Sequence, residues 1–149
     1  TPMHARVKTP ILGELLVELL FNPFEQLARV QGDPNSWSED VIRLYGKPVL
    51  ESGNSKATLS MMRMVPDGPD HKNAIAMSNI EQYVRSLQIP AEIVWGMNDP
   101  ILGKGLPAME ANFPNAPVTK TEAGHFLQEE VDIEIANALL RIIDRIERK

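Results

Sequence analysis

The chain of 149 residues contains no cysteine. A disulfide framework and a thiolate metal site are thereby excluded, and the composition fits a reducing compartment, so a cytoplasmic location is expected. Long apolar runs are missing as well. None approaches the roughly 20 residues that a membrane-spanning helix needs, and the opening TPMHARVKTP lacks the apolar core of a secretion signal. Clustered positive charge is also absent: the net charge is −5, and Lys and Arg are scattered rather than gathered into a stripe. Neither nucleic acid nor a membrane is expected as a partner. His4 and His71 stand in polar, proline-rich surroundings without companions at ligand spacing, so no metal site is expected.

What is present supports one real core, since 43% of the residues are hydrophobic. The chain divides by texture. From Ile11 to about Glu92 it reads helical: ILGELLVELLF is a Leu-rich helix stopped or kinked by Pro23, and FEQLARVQ continues it. Ser36-Trp-Ser-Glu39 fits a capping box with Ser36 as N-cap, opening a helix through Tyr45 that Gly46 and Pro48 end. Further helices are predicted over SKATLSMMRM, closed by the turn PDGPD, and over NIEQYVRSL before Pro90.

Beyond that point the period changes. Ala91 to Trp95 reads as a buried strand, Gly105 to Phe113 as a helix, Pro117 to Thr121 as a second strand, and Glu129 to Glu147 as a long final helix. Ile135, Leu139, Ile142, Ile143 and Ile146 fall on one stripe of that helix, predicted to face a core. The order strand, helix, strand, helix implies an α/β fold with two parallel strands and a right-handed crossover. Two strands are too few for an independent sheet. We therefore expect residues 1–88 to form a helical insert and 89–149 to form the end of a larger sheet. The first residue is Thr1 rather than methionine, and a preceding segment is expected.

Ligands in open α/β sheets bind beyond the carboxyl ends of the strands. The first strand delivers Asp99 to that edge and the second delivers His125, within Glu122-Ala-Gly-His125. A carboxylate beside an imidazole is the orienting half of a catalytic triad: it holds the ring tautomer and stabilises the imidazolium. Taken singly, an Asp before a proline is more often a turn residue and a lone histidine more often structural. Their placement after successive parallel strands is what favours chemistry.

The segments IPAEIVWGMNDPILG, ANFPNAPV and AGHFLQEE resemble the closing third of the haloalkane dehalogenase-like branch of the α/β-hydrolase superfamily. The resemblance implies that Asp99 is the catalytic acid and His125 the base. Tyr45-Gly-Lys-Pro48 and Met64-Val-Pro-Asp-Gly-Pro69 are similar to the helical cap that such enzymes insert over the active site. Also implied are an ester intermediate on a nucleophilic Asp, water activated by His125, a small apolar substrate and no cofactor. Epoxide hydrolases and serine esterases share much of this frame.

The departure from that family is the missing nucleophile, which normally sits on a strand-to-helix elbow before the cap. It is expected upstream of Thr1. Gly53-Asn-Ser55-Lys-Ala57 approximates the elbow and precedes Asp99 and His125 in the right order, but Val49-Leu-Glu51 makes a poor buried strand. Ser55 is therefore read as a helix start within the cap. Trp37 could offer its indole N–H to a halide or a substrate oxygen, although packing is the commoner role for such a residue. Trp95 and the run Met61, Met62, Met64 are read as core and adaptable packing, Asn98 as a turn residue or support for the acid turn, and Gln128 to Glu130 as acceptors near a helix N-terminus. Two readings remain open: a hydrolase part carrying cap, acid and base, or a non-catalytic truncated assembly domain. In either, an exposed sheet edge and uncovered helix faces predict a homo-oligomer unless an N-terminal half completes the fold.

Overall fold

The computed structural model describes residues 6, 8–15, 27–52 and 56–148. The expected helix beyond residue 15, the break at Pro23, His4 and the Gly53-Asn-Ser55 elbow candidate lie outside them. The chain forms two compact units, one of Thr1–Leu27 with Trp37–Ile80 and one of Ala28–Ser36 with Glu81–Lys149. This division differs from 1–88 and 89–149 in two respects: the boundary falls inside a helix, and a short early segment, Ala28–Ser36, belongs with the later part of the chain.

In the first unit the described helices are α1 (Leu12–Leu15), α2 (Glu39–Glu51), α3 (Lys56–Met64) and the first half of α4 (Ala74–Ser86). The cap of α2 is Ser38, whose Oγ accepts the Val41 N–H at 3.3 Å, rather than Ser36. Ser36 closes a 3-10 turn over Pro34–Ser36, where its hydroxyl donates to the Asp33 carbonyl at 2.7 Å. Nor do Gly46 and Pro48 end α2, which runs through both to Glu51. Pro48 removes the bond to the Leu44 carbonyl and crowds that carbonyl with its ring, but it does so late in the helix and on an exposed side where solvent can satisfy the freed acceptor.

Glu14 on α1 takes two bonds from the Arg63 guanidinium on α3, at 2.7 and 3.0 Å. Those bonds are the main reason the Glu14 carboxyl is held down at about 2. Leu59 is buried with Met62 packed against it. In the turn after α3, His71 Nδ1 accepts the Asn73 N–H at 3.1 Å and Nε2 meets the Arg63 carbonyl at 3.0 Å. A carbonyl only accepts, so Nε2 carries the proton and the ring is neutral. His71 thus serves the turn.

The second unit holds the rest of α4, strand β1 (Ile93–Gly96), α5 (Leu106–Asn112), strand β2 (Val118–Thr121) and α6 (Asp132–Glu147). Branched and aromatic side chains favour the extended backbone of the two short strands. They pair in parallel, Ile93 opposite Val118 and Gly96 opposite Thr121, with a 3-10 turn at Gly103–Gly105 and α5 in the crossover. This is a helix-rich α/β arrangement around a two-stranded parallel sheet.

Helix α6 buries Ala138 and half-buries Ile135 and Ile142, but leaves Leu139, Ile143 and Ile146 56%, 48% and 57% exposed. The predicted core-facing stripe is thus covered along one side only, because two four-residue strands present too narrow a surface for all of it. At the amino ends of the strands the Glu92 side chain, 2% exposed, is gripped by Arg141 at 2.9 Å and by Arg145, both from α6. Among the described residues no helix is long and apolar enough to cross a membrane.

Candidate functional site

Because both strands are parallel, their carboxyl ends open onto one edge. There the backbone is stitched across: Met97 N–H donates to the Thr121 carbonyl at 2.9 Å, Asn98 N–H to Ala123 at 3.1 Å, and the Asn98 side-chain amide to Glu122 at 2.7 Å. Asn98 therefore ties the acid turn to the histidine turn. The Trp95 indole donates to the Gly103 carbonyl at 3.0 Å, closing the acid turn from below.

Within that turn the two oxygens of Asp99 divide their work. Oδ1 accepts the N–H groups of Ile101 at 2.7 Å and Leu102 at 3.0 Å, the local bonding expected of an Asp that opens a turn. Oδ2 is left to face His125 Nδ1 at 2.9 Å. Burial pushes the Asp99 carboxyl up, but the bonds from His125, Leu102 and Ile101 together outweigh it and hold the group below the ordinary carboxylate value. The carboxylate is charged at neutral pH and can only accept, so the shared proton sits on Nδ1. In the neutral ring Nε2 then carries the lone pair, and among the described residues it has no hydrogen-bond partner. The side chain of Asp99 is 9% exposed and that of His125 26%, so the carboxylate is sheltered while the imidazole is reachable.

The histidine turn has a second set of supports, drawn from the segment that joined this unit from early in the chain. His125 N–H donates to the Val30 carbonyl at 2.8 Å. The Gln31 side-chain amide pairs with both main-chain groups of Phe126, accepting its N–H at 2.9 Å and donating to its carbonyl at 3.2 Å. One carboxylate, Glu130, collects the N–H groups of Gly124 at 2.6 Å, Asp33 at 2.5 Å and Gly32 at 3.2 Å. Glycine is required at the crossing. A Cβ on Gly32 would strike the Glu122 carbonyl, and one on Gly124 would strike the Val30 carbonyl and Gln31 backbone.

Of the residues singled out in the sequence, Asp99 and His125 are thus brought into contact. Trp37 belongs to the first unit, where it is buried and its ring lies 4.7 Å from Tyr45. Ser55 lies outside the described residues. Gln31 and Glu130 had escaped notice as supports: a Gln before Gly-Asp-Pro carries no signal of a distant partner, and Glu130, so near α6, reads as a helix-end acid. Its carboxylate turns away from that role and serves the loop. Among the described residues no group of three or more His, Asp or Glu side chains is gathered as a metal ion would need. Neither a protein-family model nor a curated protein matches this chain.

Proposed function

We propose that the chain supplies the acid and base of an α/β-hydrolase of the haloalkane dehalogenase-like type, with the helical region of residues 1–88 read as its cap. The observation that carries the reading is the 2.9 Å contact between His125 Nδ1 and Asp99 Oδ2, with no partner for Nε2 among the described residues. A ring held this way can act as a general base, which supports the reading. In the proposed reaction a nucleophilic carboxylate displaces halide from a small apolar substrate, forming an alkyl ester. His125 Nε2 then takes a proton from water, and the resulting hydroxide attacks the ester carbonyl. Collapse of that adduct frees the alcohol and regenerates the carboxylate, while the imidazolium returns its proton to solvent. Asp99 stabilises the imidazolium between those steps. This reading takes the nucleophile from outside the described residues. No cofactor takes part.

A second reading is favoured by a separate observation. The apolar residues Leu139, Leu140, Ile143 and Ile146 on α6 are 48–61% exposed, as an assembly domain without activity of its own would present them. One experiment separates the two. The preceding coding sequence is restored, and halide release from brominated alkanes is assayed beside hydrolysis of a short ester, with His125→Ala as control. Halide release lost in the control supports the dehalogenase reading, and ester hydrolysis alone moves it to the esterase branch. No turnover of either kind leaves the assembly domain.

A further inference from the structure

Asp99 holds the His125 ring from one side, but a ring is only as fixed as the backbone that carries it. Gly124, His125 and Phe126 are three consecutive residues in a loop, and all three N–H groups are committed: to Glu130, to Val30 and to Gln31. Two of those acceptors come from a segment 95 positions earlier in the chain. The same segment is locked by the Glu130 carboxylate through Gly32 and Asp33. Gln31 is itself only 7% exposed, which makes its amide a buried polar group with a specific task rather than a surface contact.

We propose that Gln31 and Glu130 are positioning residues for His125. Together they clamp the backbone on both sides of the histidine onto Val30–Asp33, so that Nδ1 stays on Asp99 and Nε2 keeps its lone pair. The clamp acts through main-chain groups. Gln31 fixes the residue after the histidine and Glu130 the residue before it, while the Val30 carbonyl takes the histidine N–H. Rotation of the peptide planes that would swing the ring off Asp99 must break at least one of these bonds. This inference deepens the hydrolase reading, since a base needs a defined tautomer, yet its test involves no catalysis.

The measurement is histidine nitrogen and proton NMR on the full chain. In the unsubstituted protein a slowly exchanging Nδ1–H signal from His125 is expected, with Nε2 unprotonated. Asp99→Asn marks what its disturbance looks like. Gln31→Ala and Glu130→Ala are each expected to lose the slow Nδ1–H signal and shift the ring toward a mixture of tautomers, although neither touches the ring. Glu130→Gln, which keeps an acceptor oxygen in place, is expected to restore much of it. Ala138→Gly, which weakens α6 without touching the clamp, should leave the signal intact and so separates positioning from general loss of stability. Should Gln31→Ala fail to fold, the near-isosteric Gln31→Glu keeps the bond from Phe126 N–H but sets a carboxylate against its carbonyl, and the same loss of signal is expected. An unchanged Nδ1–H signal in folded Gln31 and Glu130 variants would overturn the positioning role. A normal ring signal in a protein complex that hydrolyses nothing would instead count against the hydrolase reading and leave the clamp standing.

Discussion

His125 and Asp99 meet through Nδ1 and Oδ2 at 2.9 Å across 26 intervening steps of chain, each at the carboxyl end of its own strand. Replacing the carboxylate by an amide keeps the shape but lets the nitrogen face the ring and favour the wrong tautomer. If the chain works as the proposed hydrolase, Asp99→Asn is expected to lower turnover by on the order of 10⁴-fold with the fold retained. Circular dichroism and halide release measured on the same samples check this, and a loss of less than about tenfold would remove Asp99 from the acid role.

The Asp99 carboxyl lies below its ordinary value in the folded chain, so folding favours its charged form. The sign follows: the unfolded state binds this proton more readily, stability is fully present above the ordinary carboxylate range, and it is lost as pH falls through the lowered folded value. Glu14, held at about 2 against an ordinary 4.5 by the Arg63 bonds, adds a loss in the same direction within the first unit. Urea unfolding followed from neutral pH down through the carboxylate range should show declining stability, with a shallower decline in Asp99→Asn. Equal slopes in both proteins would sink the assignment.

Glu92 provides a test of packing rather than chemistry. Its side chain is 2% exposed and has two arginine partners, each of which is 37–47% exposed. Removing either arginine leaves the buried carboxylate one partner, so Arg141→Ala or Arg145→Ala alone should cost about 1 kcal/mol. Removing both strands the charge, and the double variant should cost about 3–5 kcal/mol, well beyond the sum. Additive losses in a double-mutant cycle would show that solvent already reaches Glu92.

Ile11 has a φ of 68° and is 83% exposed, a left-handed backbone under a branched side chain with little packing to hold it there. That conformation costs about 1–2 kcal/mol in such a residue. Ile11→Asn should therefore raise the stability of the chain by about 1 kcal/mol, read as a higher urea midpoint. A lower midpoint would mean that the side chain contributes more than the strain takes away.

The exposed band on α6 leads to a prediction about assembly. If this band and the short sheet are the whole of what the chain offers, it should sediment as a dimer or larger species, and the pair Leu139→Lys with Ile143→Lys should shift it toward monomer. A compact, stable monomer at micromolar concentration, unaltered by those substitutions, would contradict self-association.

The parts of this architecture that could be read in advance are those whose cause is local. Ile93-Val-Trp-Gly96 and Val118 to Thr121 announce strands by their branched residues, and parallel pairing then dictates that Asp99 and His125 share an edge. The α2 cap was misplaced by two residues because Ser36 and Ser38 both satisfy a local pattern, and only the 3-10 turn from Pro34 decides between them. The coverage of α6 could not be read from its stripe, since a stripe reports what a helix could bury and not how much surface exists to receive it. Least legible was the segment from Val30 to Asp33. Its place beside the histidine turn depends on two glycines, Gly32 and Gly124, passing each other without side chains, and neither carries any mark of the other.

That crossing also bears on the order in which the molecule can be made. The bond from Gly32 N–H to Glu130 spans 98 positions, and closing so long a loop is entropically dearer and slower than forming any of the helices it encloses. The histidine turn is thus a late-maturing piece of the fold: during synthesis it waits for Glu130 to emerge, after α2 and α3 can have formed. Once closed, its amides should open to deuterium only when the docked segment lifts away as a unit. A loop that would ordinarily exchange within seconds would then age on the timescale of the second unit's own unfolding.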